Sequence, residues 1–251
     1  MTFSRRETMK LVNTRAWRAL QLGSIVLASG VLVACGGGGD SPTATIKGTA
    51  AVGDPVANGA IRISCKNGSS NVNSDSNGAF SSTFHFDGPC LLTVTSGSIS
   101  LNSFAIAAGT YNITPLTQLL LTYLAGQLGT TLNGLISGIT TNSTYQSALT
   151  NSTVITNAEN AVAQLIKSLY GVTLSTNSFL TVSFTPGQPG ADADLDALLA
   201  AGAITNNGQP VASLATAALA AGAAAPISGG GGSPTPTGGT GGTGGTGGTG
   251  T

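Results

Sequence analysis

Three aspartates, Asp192, Asp194 and Asp196, alternate in the run D-A-D-L-D. Alternating carboxylates of this kind serve calcium loops, because a hard ion must gather several oxygens around itself. Such a loop has Gly at its sixth position and a Glu beyond it, whereas this chain has Ala197 there and no distal Glu. Acids also suit the positive end of a helix. The expectation is that these aspartates cap a helix, with a metal site as the alternative. His85, the one histidine, shares a polar strand face with Ser81 and Thr83, and Asp87 follows two residues on. Nucleophilic catalysis needs a base and an orienting group within reach of the nucleophile. Ser and Thr are too common on polar strand faces to mark one, and Asp87 opens the turn Asp87-Gly88-Pro89. The chain has no G-x-S-x-G elbow, phosphate loop or H-E-x-x-H. The expectation is a protein with no catalytic residues and no cofactor. Tyr111, Tyr123, Tyr145 and Tyr170 could offer a sugar-stacking platform, but Tyr123 and Tyr170 lie on or beside apolar helical faces, so core packing is the preferred reading. Asn67, Asn112, Asn142 and Asn151 each open a formal N-x-S/T triplet and are read as turn and cap residues.

The elements that must position these groups begin with a leader. Nine basic residues balance nine acidic ones, but Arg5, Arg6, Lys10, Arg15 and Arg18 all lie within the first eighteen positions. Beyond Cys35, four cations face eight acids, a net charge of −4. A chain with so few cations has no basic patch, so no nucleic-acid partner is expected. Residues 19–34 are apolar and uncharged, and shorter than the roughly 20 residues that span a bilayer. A cationic start followed by a short apolar run reads as a signal peptide, residues 1–34. Met9-Lys10 would open an equally well-formed signal, which leaves Met1 and Met9 as alternative starts. Arg5-Arg6 partly resembles a twin-arginine signal, but Thr8 stands where an aromatic is usual, and general export is preferred.

The apolar run ends in Leu32-Val33-Ala34-Cys35, which resembles the lipobox of bacterial lipoproteins at each of its four positions. The resemblance implies cleavage before Cys35, a diacylglyceryl group on its thiol and an acyl chain such as palmitate on its amine. Several chains together anchor stably where one alone binds marginally. Gly36, rather than Asp, implies delivery to the outer membrane, so the membrane is a partner through the N-terminal lipid. Residues 35–43 form a Gly-rich tether. The alternative is an ordinary signal with a chance cysteine.

From residue 44 to 111 the pattern has period two. It predicts strands over 44–50, 60–66, 79–86, 90–95 and 99–106, the last slipping phase after Leu101 to Phe104 and Ile106, which implies a bulge. Asn77-Gly78 is a strong hairpin signal, and Asp54-Pro55 marks another turn. Five short strands with one apolar face each must pair those faces, which gives a small antiparallel β-sandwich. Cys65 and Cys90 fall on inward faces. With Cys35 taken by lipid and the compartment oxidising, they are expected to form a disulfide, the alternative being two buried thiols.

The run Gly53-Asp54-Pro55-Val56-Ala57-Asn58-Gly59-Ala60-Ile61, followed by Ser74-Asp75-Ser76-Asn77-Gly78-Ala79-Phe80, resembles the carboxypeptidase regulatory-like (transthyretin-like) sandwich. The first turn carries one residue more than the family's P-V-x-G-A pattern. The resemblance covers roughly residues 44–100. It implies a fold and a stalk-like, folding or interaction role, with no catalytic residues to carry over.

At Thr114 the period becomes helical. Thr114 caps, Pro115 suits the first helical position, and leucines recur to Leu128. Residues 131–139 read as a short second helix. A capping box from Thr156 to Glu159 precedes a helix through Leu165, Ile166 and Leu169 that stops at Gly171. Residues 178–184 read as a strand, and 192–202 and 211–222 as Ala-rich helices around a turn at 206–210. Residues 112–228 thus form a mainly helical region, similar to uncharacterised bacterial envelope lipoproteins. The Gly/Thr-rich tail at 229–251 has no large apolar side chain and is expected to be disordered.

The whole reads as α+β: a non-catalytic, lipid-anchored envelope protein with a structural, adhesive or interaction role toward an unidentified protein or glycan. The alternative is a periplasmic or surface protein that holds a small apolar or glycan ligand between the Leu-rich helices of residues 115–170.

Overall fold

The computed structural model describes residues 42–227. The signal peptide, Cys35, most of the tether and the tail at 229–251 lie outside the described residues. Among those described, seven strands precede six helices, a mixed α+β fold.

The strands make two sheets. In the first, β1 (Thr43–Thr49) lies between β4 (Ala79–His85), antiparallel to it, and the two-residue β7 (Gly109–Thr110), parallel to it. In the second, the order is β3 (Ser69–Asn73), β2 (Ala60–Ser64), β5 (Cys90–Ser96), β6 (Ile99–Ala105), every pair antiparallel. Period-two patterning turns Ile61, Ile63, Leu92, Val94 and Leu101 to the buried side, where Ile46 and Phe80 of the first sheet are buried in the same core. Cys65 and Cys90 are joined in a disulfide at this buried side. At the edge strands, Ser70 Oγ and Ser82 Oγ hydrogen-bond at 2.7 Å and tie one sheet to the other.

The two turns flanking β2 and β3 interlock. Ser74 Oγ accepts the Gly59 N–H at 2.9 Å and donates to the Val56 carbonyl. Asp75 Oδ1 accepts the N–H groups of Asn77 and Ala79 at 2.8 and 2.9 Å, an Asx turn. Gly78 has φ +76°, and its carbonyl accepts the Ala50 N–H at 2.8 Å. A Cβ at Gly78 would stand 2.3 Å from the Ala50 oxygen, so the turn and the chain beside it require glycine.

The helical part is built around α1 (Pro115–Gln127). Thr114 and Thr117 cap it reciprocally, each hydroxyl accepting the other's N–H. Residues 115–126 are all buried, the polar Thr117, Gln118 and Thr122 among them. It is covered by β6, by α2 (Leu132–Gly138), α4 (Ser152–Tyr170) and α6 (Ala212–Ala223). The α1–α6 crossing is very close, since a Cβ at Gly126 would lie 2.1 Å from the Leu219 oxygen and one at Gly222 2.0 Å from the Tyr123 oxygen. α3 (Ser143–Leu149) and α5 (Ala191–Ala200) complete the set. No described helix is long and apolar enough to cross a membrane.

Several sequence expectations change here. The register between β5 and β6 runs unbroken from Cys90↔Ala105 to Ser96↔Ile99, so the phase change after Leu101 is not a bulge. Phe104 is buried on the strand's other face because α1 packs against β6 there. β3 and β7 join the five expected strands; β3 has the sequence SSNVN, too polar to show a clear period. The helix expected from Thr156 starts a turn earlier, at Ser152, because Asn151 Oδ1 accepts the N–H groups of Thr153 and Val154. Leu169 is 53% exposed rather than part of its buried face. Gly171 does end that helix in the left-handed conformation, φ +71°.

Residues 178–184 are not a strand. They lie in an irregular strap over 172–190 in which Thr181 and Val182 turn back onto the Ser178 carbonyl. Several other backbone groups there are taken by buried side chains. Asn112 Nδ2 donates to the carbonyls of Phe179 and Val182 at 3.1 and 2.7 Å, and Glu159 accepts the Leu180 N–H at 3.0 Å. Asn112 is therefore no cap or turn residue: it is fully buried, and its Oδ1 also accepts the Thr49 N–H.

Candidate binding face

Alternation that buries one side of the four-stranded sheet exposes the other. From β2 the outward residues are Ala60, Arg62 and Ser64; from β5, Leu91, Thr93 and Thr95; from β3, Asn71 and Asn73. Register lines them up across the strands: Asn71 beside Arg62 beside Thr93, and Asn73 beside Ala60 beside Thr95. Together they line an open groove of about 480 Å³.

The groove mixes apolar and hydrogen-bonding groups, with Ile61, Val72 and Leu91 beside the amides and hydroxyls. Arg62 supplies a guanidinium, its Nε donating to Ser64 Oγ at 3.1 Å. The Asn71–Arg62–Thr93 row continues onto β6, where Thr93 Oγ1 donates to Asn102 Oδ1 at 2.8 Å. Asn102 is fixed in turn, its N–H donating to Gln118 Oε1 of α1 at 2.8 Å. The helix thereby sets the last member of the row. Amides, hydroxyls and one guanidinium on a rigid sheet can read hydroxyl, carbonyl or carboxylate groups, as a polar ligand site must. The alternation of the strand predicted over 60–66 places Arg62 and Ser64 opposite Ile61 and Ile63, on the polar side of β2. It missed Asn71 and Asn73, because β3 showed no signal, and the partnership of Thr93 with Asn102, which only strand pairing reveals.

A second groove of about 260 Å³ lies on the outer side of the three-stranded sheet, where Lys47, Ser81, Thr110 and Phe184 are among its lining. By contrast, the apolar faces over residues 115–170 are filled from within. Leu116, Leu119, Leu120, Leu124, Leu135, Val162 and Ile166 are each at most 2% exposed.

The residues singled out for chemistry are distributed as follows. His85 is exposed at the end of β4, and Asp87 accepts from Asn67 Nδ2. Tyr111 and Tyr123 are buried, and burial pushes the Tyr123 phenol up from its ordinary pKa. Tyr170 hydroxyl meets Ser213 Oγ at 3.4 Å. Asn142 and Asn151 cap α3 and α4, as expected. Asp192 and Asp194 occupy the first turn of α5, but both are buried. Asp194 accepts both the N–H and the hydroxyl of Ser175. Among the described residues no three His, Cys, Asp or Glu side chains are drawn together around a metal position.

Glu159 was read only as part of a capping box. It is 6% exposed, and burial raises its carboxyl to a pKa of about 7, the Leu180 N–H opposing that rise. No family model matches this chain, no curated protein matches its sequence, and no solved structure matches its fold.

Proposed function

We propose that this chain is an exported, lipid-anchored protein of the cell envelope with a non-catalytic structural, adhesive or interaction role. The single observation that carries the reading is the Cys65–Cys90 disulfide at the core of the sheets. Such bonds persist where the surroundings are oxidising, outside the cytoplasm. That compartment agrees with the signal-like leader and with Cys35 as the lipidated mature N-terminus in the outer membrane. The two sheets act as one small β-sandwich of the carboxypeptidase regulatory-like kind, and the interlocked turns at Gly59–Ser74 and Asp75–Gly78 support this, since they fall on the residues of that resemblance. Its partner is a protein or a glycan.

The groove over Arg62, Asn71 and Thr93 favours a second reading, a surface or periplasmic glycan-binding protein. Its lining sets the hydrogen-bonding groups of Arg62, Asn71, Asn73 and Thr93 beside the apolar Val72 and Leu91, a mixture that suits the hydroxyls and ring carbons of a sugar.

The test of the first reading is to feed cells an alkyne-bearing palmitate and compare the parent chain with Cys35→Ala. Label and membrane retention in the parent, both lost in Cys35→Ala, are expected. An unlabelled parent chain, or label that survives Cys35→Ala, sinks the lipid anchor. Protease added to intact cells then separates display on the surface, where the chain is cut, from a periplasmic position, where it is spared.

A further inference from the structure

Beyond Cys35, four cations face eight acids, so the chain as a whole does not attract anions. Among the described residues that line the groove on the four-stranded sheet, Arg62 alone is charged. It is exposed and sits on β2, a strand paired on both sides. No Asp or Glu lines the groove, so nothing there neutralises the guanidinium. Its Nε is held by Ser64 Oγ at 3.1 Å, and its Nη groups have no acceptor among the described residues. Held at Nε, the guanidinium keeps its two Nη groups for a planar, bidentate acceptor, the geometry of a carboxylate.

The groups beside Arg62 are of another kind. The row Asn71, Arg62, Thr93, Asn102 crosses four strands. With strands about 4.8 Å apart, the row spans about 14 Å, room for an extended chain of several sugar units. Thr93 Oγ1 gives its proton to Asn102, which leaves its oxygen to act as an acceptor. Asn71 carries both donors and an acceptor. Val72 and Leu91 lie next to them. An acidic peptide would bring carboxylates too, but a peptide strand gains its affinity at an open sheet edge. Here the floor is formed by β2 and β5, whose main chains are paired with neighbours on both sides. What it offers is side-chain amides and hydroxyls.

We propose that this groove binds an acidic oligosaccharide, a chain of uronic-acid units, with a sugar carboxylate on the Arg62 Nη groups and ring hydroxyls on Asn71 and Thr93. The proposal rests on the glycan-binding reading above and names the class of glycan.

The test is titration calorimetry of the full chain with tetramers of galacturonate and of mannuronate, each beside its methyl ester, which keeps the hydroxyls and removes the charge. One of the acids is expected to bind with a dissociation constant below about 1 mM, and its ester at least about tenfold more weakly. Arg62→Gln is expected to bring the acid down to the level of the ester and to leave the ester unchanged. Asn71→Ala is expected to weaken both alike, by about threefold. Both changes are at exposed positions, and an unchanged urea midpoint checks the fold. An ester that binds as well as its acid, or acid binding that survives Arg62→Gln, would overturn the acidic class and leave the glycan reading standing. Equal binding of polyglutamate or dextran sulfate would show that charge is recognised without the sugar, and would overturn the proposal. No binding of acid or ester would overturn it too, and no binding across a panel of neutral oligosaccharides as well would remove the glycan reading with it.

Discussion

Two stretches of this chain carry no regular ladder yet are held firmly, and they are held in opposite ways. The loop over residues 50–59 finds most of its partners within itself and in the turn at residues 74–78: Val52 on Asp54, Val56 on Ala50, Ala50 on Gly78, Asn58 on Asp75 and Gly59 on Ser74, while Ala51 reaches to Ile113. The strap over 172–190, apart from its own turns onto Ser178 and Thr185, finds them far off. Asn112 holds it at Phe179, Leu180 and Val182, Glu159 at Leu180, and Thr49 at Phe184. Local turns carry their own instructions in Gly, Asn, Asp and Pro. A stitched strap carries none, because buried backbone groups need partners from any quarter, and the chain supplies them from whichever element lies against it.

This contrast can be broken most forcefully at Asn112. Asn112→Ala leaves the Thr49 N–H and two strap carbonyls buried without partners, at about 1–3 kcal/mol for each group left unsatisfied. A loss of about 4 kcal/mol is expected in urea unfolding, with new protease cleavage between residues 172 and 190. Cleavage elsewhere, or a loss below about 1 kcal/mol, would mean that the strap is held by its apolar contacts alone.

The sheet region is expected to lose less when its covalent tie is removed. Replacing Cys65 and Cys90 together by Ser opens a loop of 25 residues, worth about 3 kcal/mol. Reduction of the parent chain should give a similar fall in the urea midpoint. The strap should stay as protease-resistant as before, since none of its hydrogen bonds described above involves the disulfide.

Glu159 gives the smallest effect, and one that depends on pH. Its folded pKa of about 7 lies above the ordinary carboxyl value, so the folded chain binds a proton that the unfolded chain releases. The stabilisation is complete below the unfolded pKa and is lost as pH rises through about 7. Glu159→Gln keeps an acceptor for the Leu180 N–H without the charge. It is expected to be about 2 kcal/mol more stable than the parent at pH 8, equal to it near pH 4, and free of this slope between. Parallel pH–stability curves for the two chains would refute the assignment.

The same contrast explains what could be read beforehand. β1, β2, β4, β5 and β6, the cap at Thr114, the stop at Gly171 and the paired cysteines follow from spacing of two or of three to four and from single-residue chemistry. Asn112 resembled every other N-x-T asparagine, since nothing local distinguishes a cap from a buried hub. Phe104 looked out of phase because burial on two faces erases alternation. In SFLTVSF, strand-forming residues yielded to a turn because no neighbouring strand offers a ladder there. The groove was half legible: Arg62 was evident as an outward residue, whereas its neighbours Asn71 and Thr93 are assigned by register, which is a property of pairs.

The reciprocal glycine contact between α1 and α6 also has a consequence for the order of events as the molecule forms. Gly126 meets a backbone segment nearly a hundred positions downstream. Until residue 223 has been synthesised, one flank of α1, the most fully buried of the described helices, has nothing to lie against. Contacts this distant in sequence form slowly, and incomplete chains expose what those contacts will cover. A nascent chain that stops before residue 212 would carry a leucine-rich helix with one side open to any passing apolar surface. The last helix thus serves as the closing piece of the core, and the time between making α1 and making α6 is when this protein is most prone to aggregate.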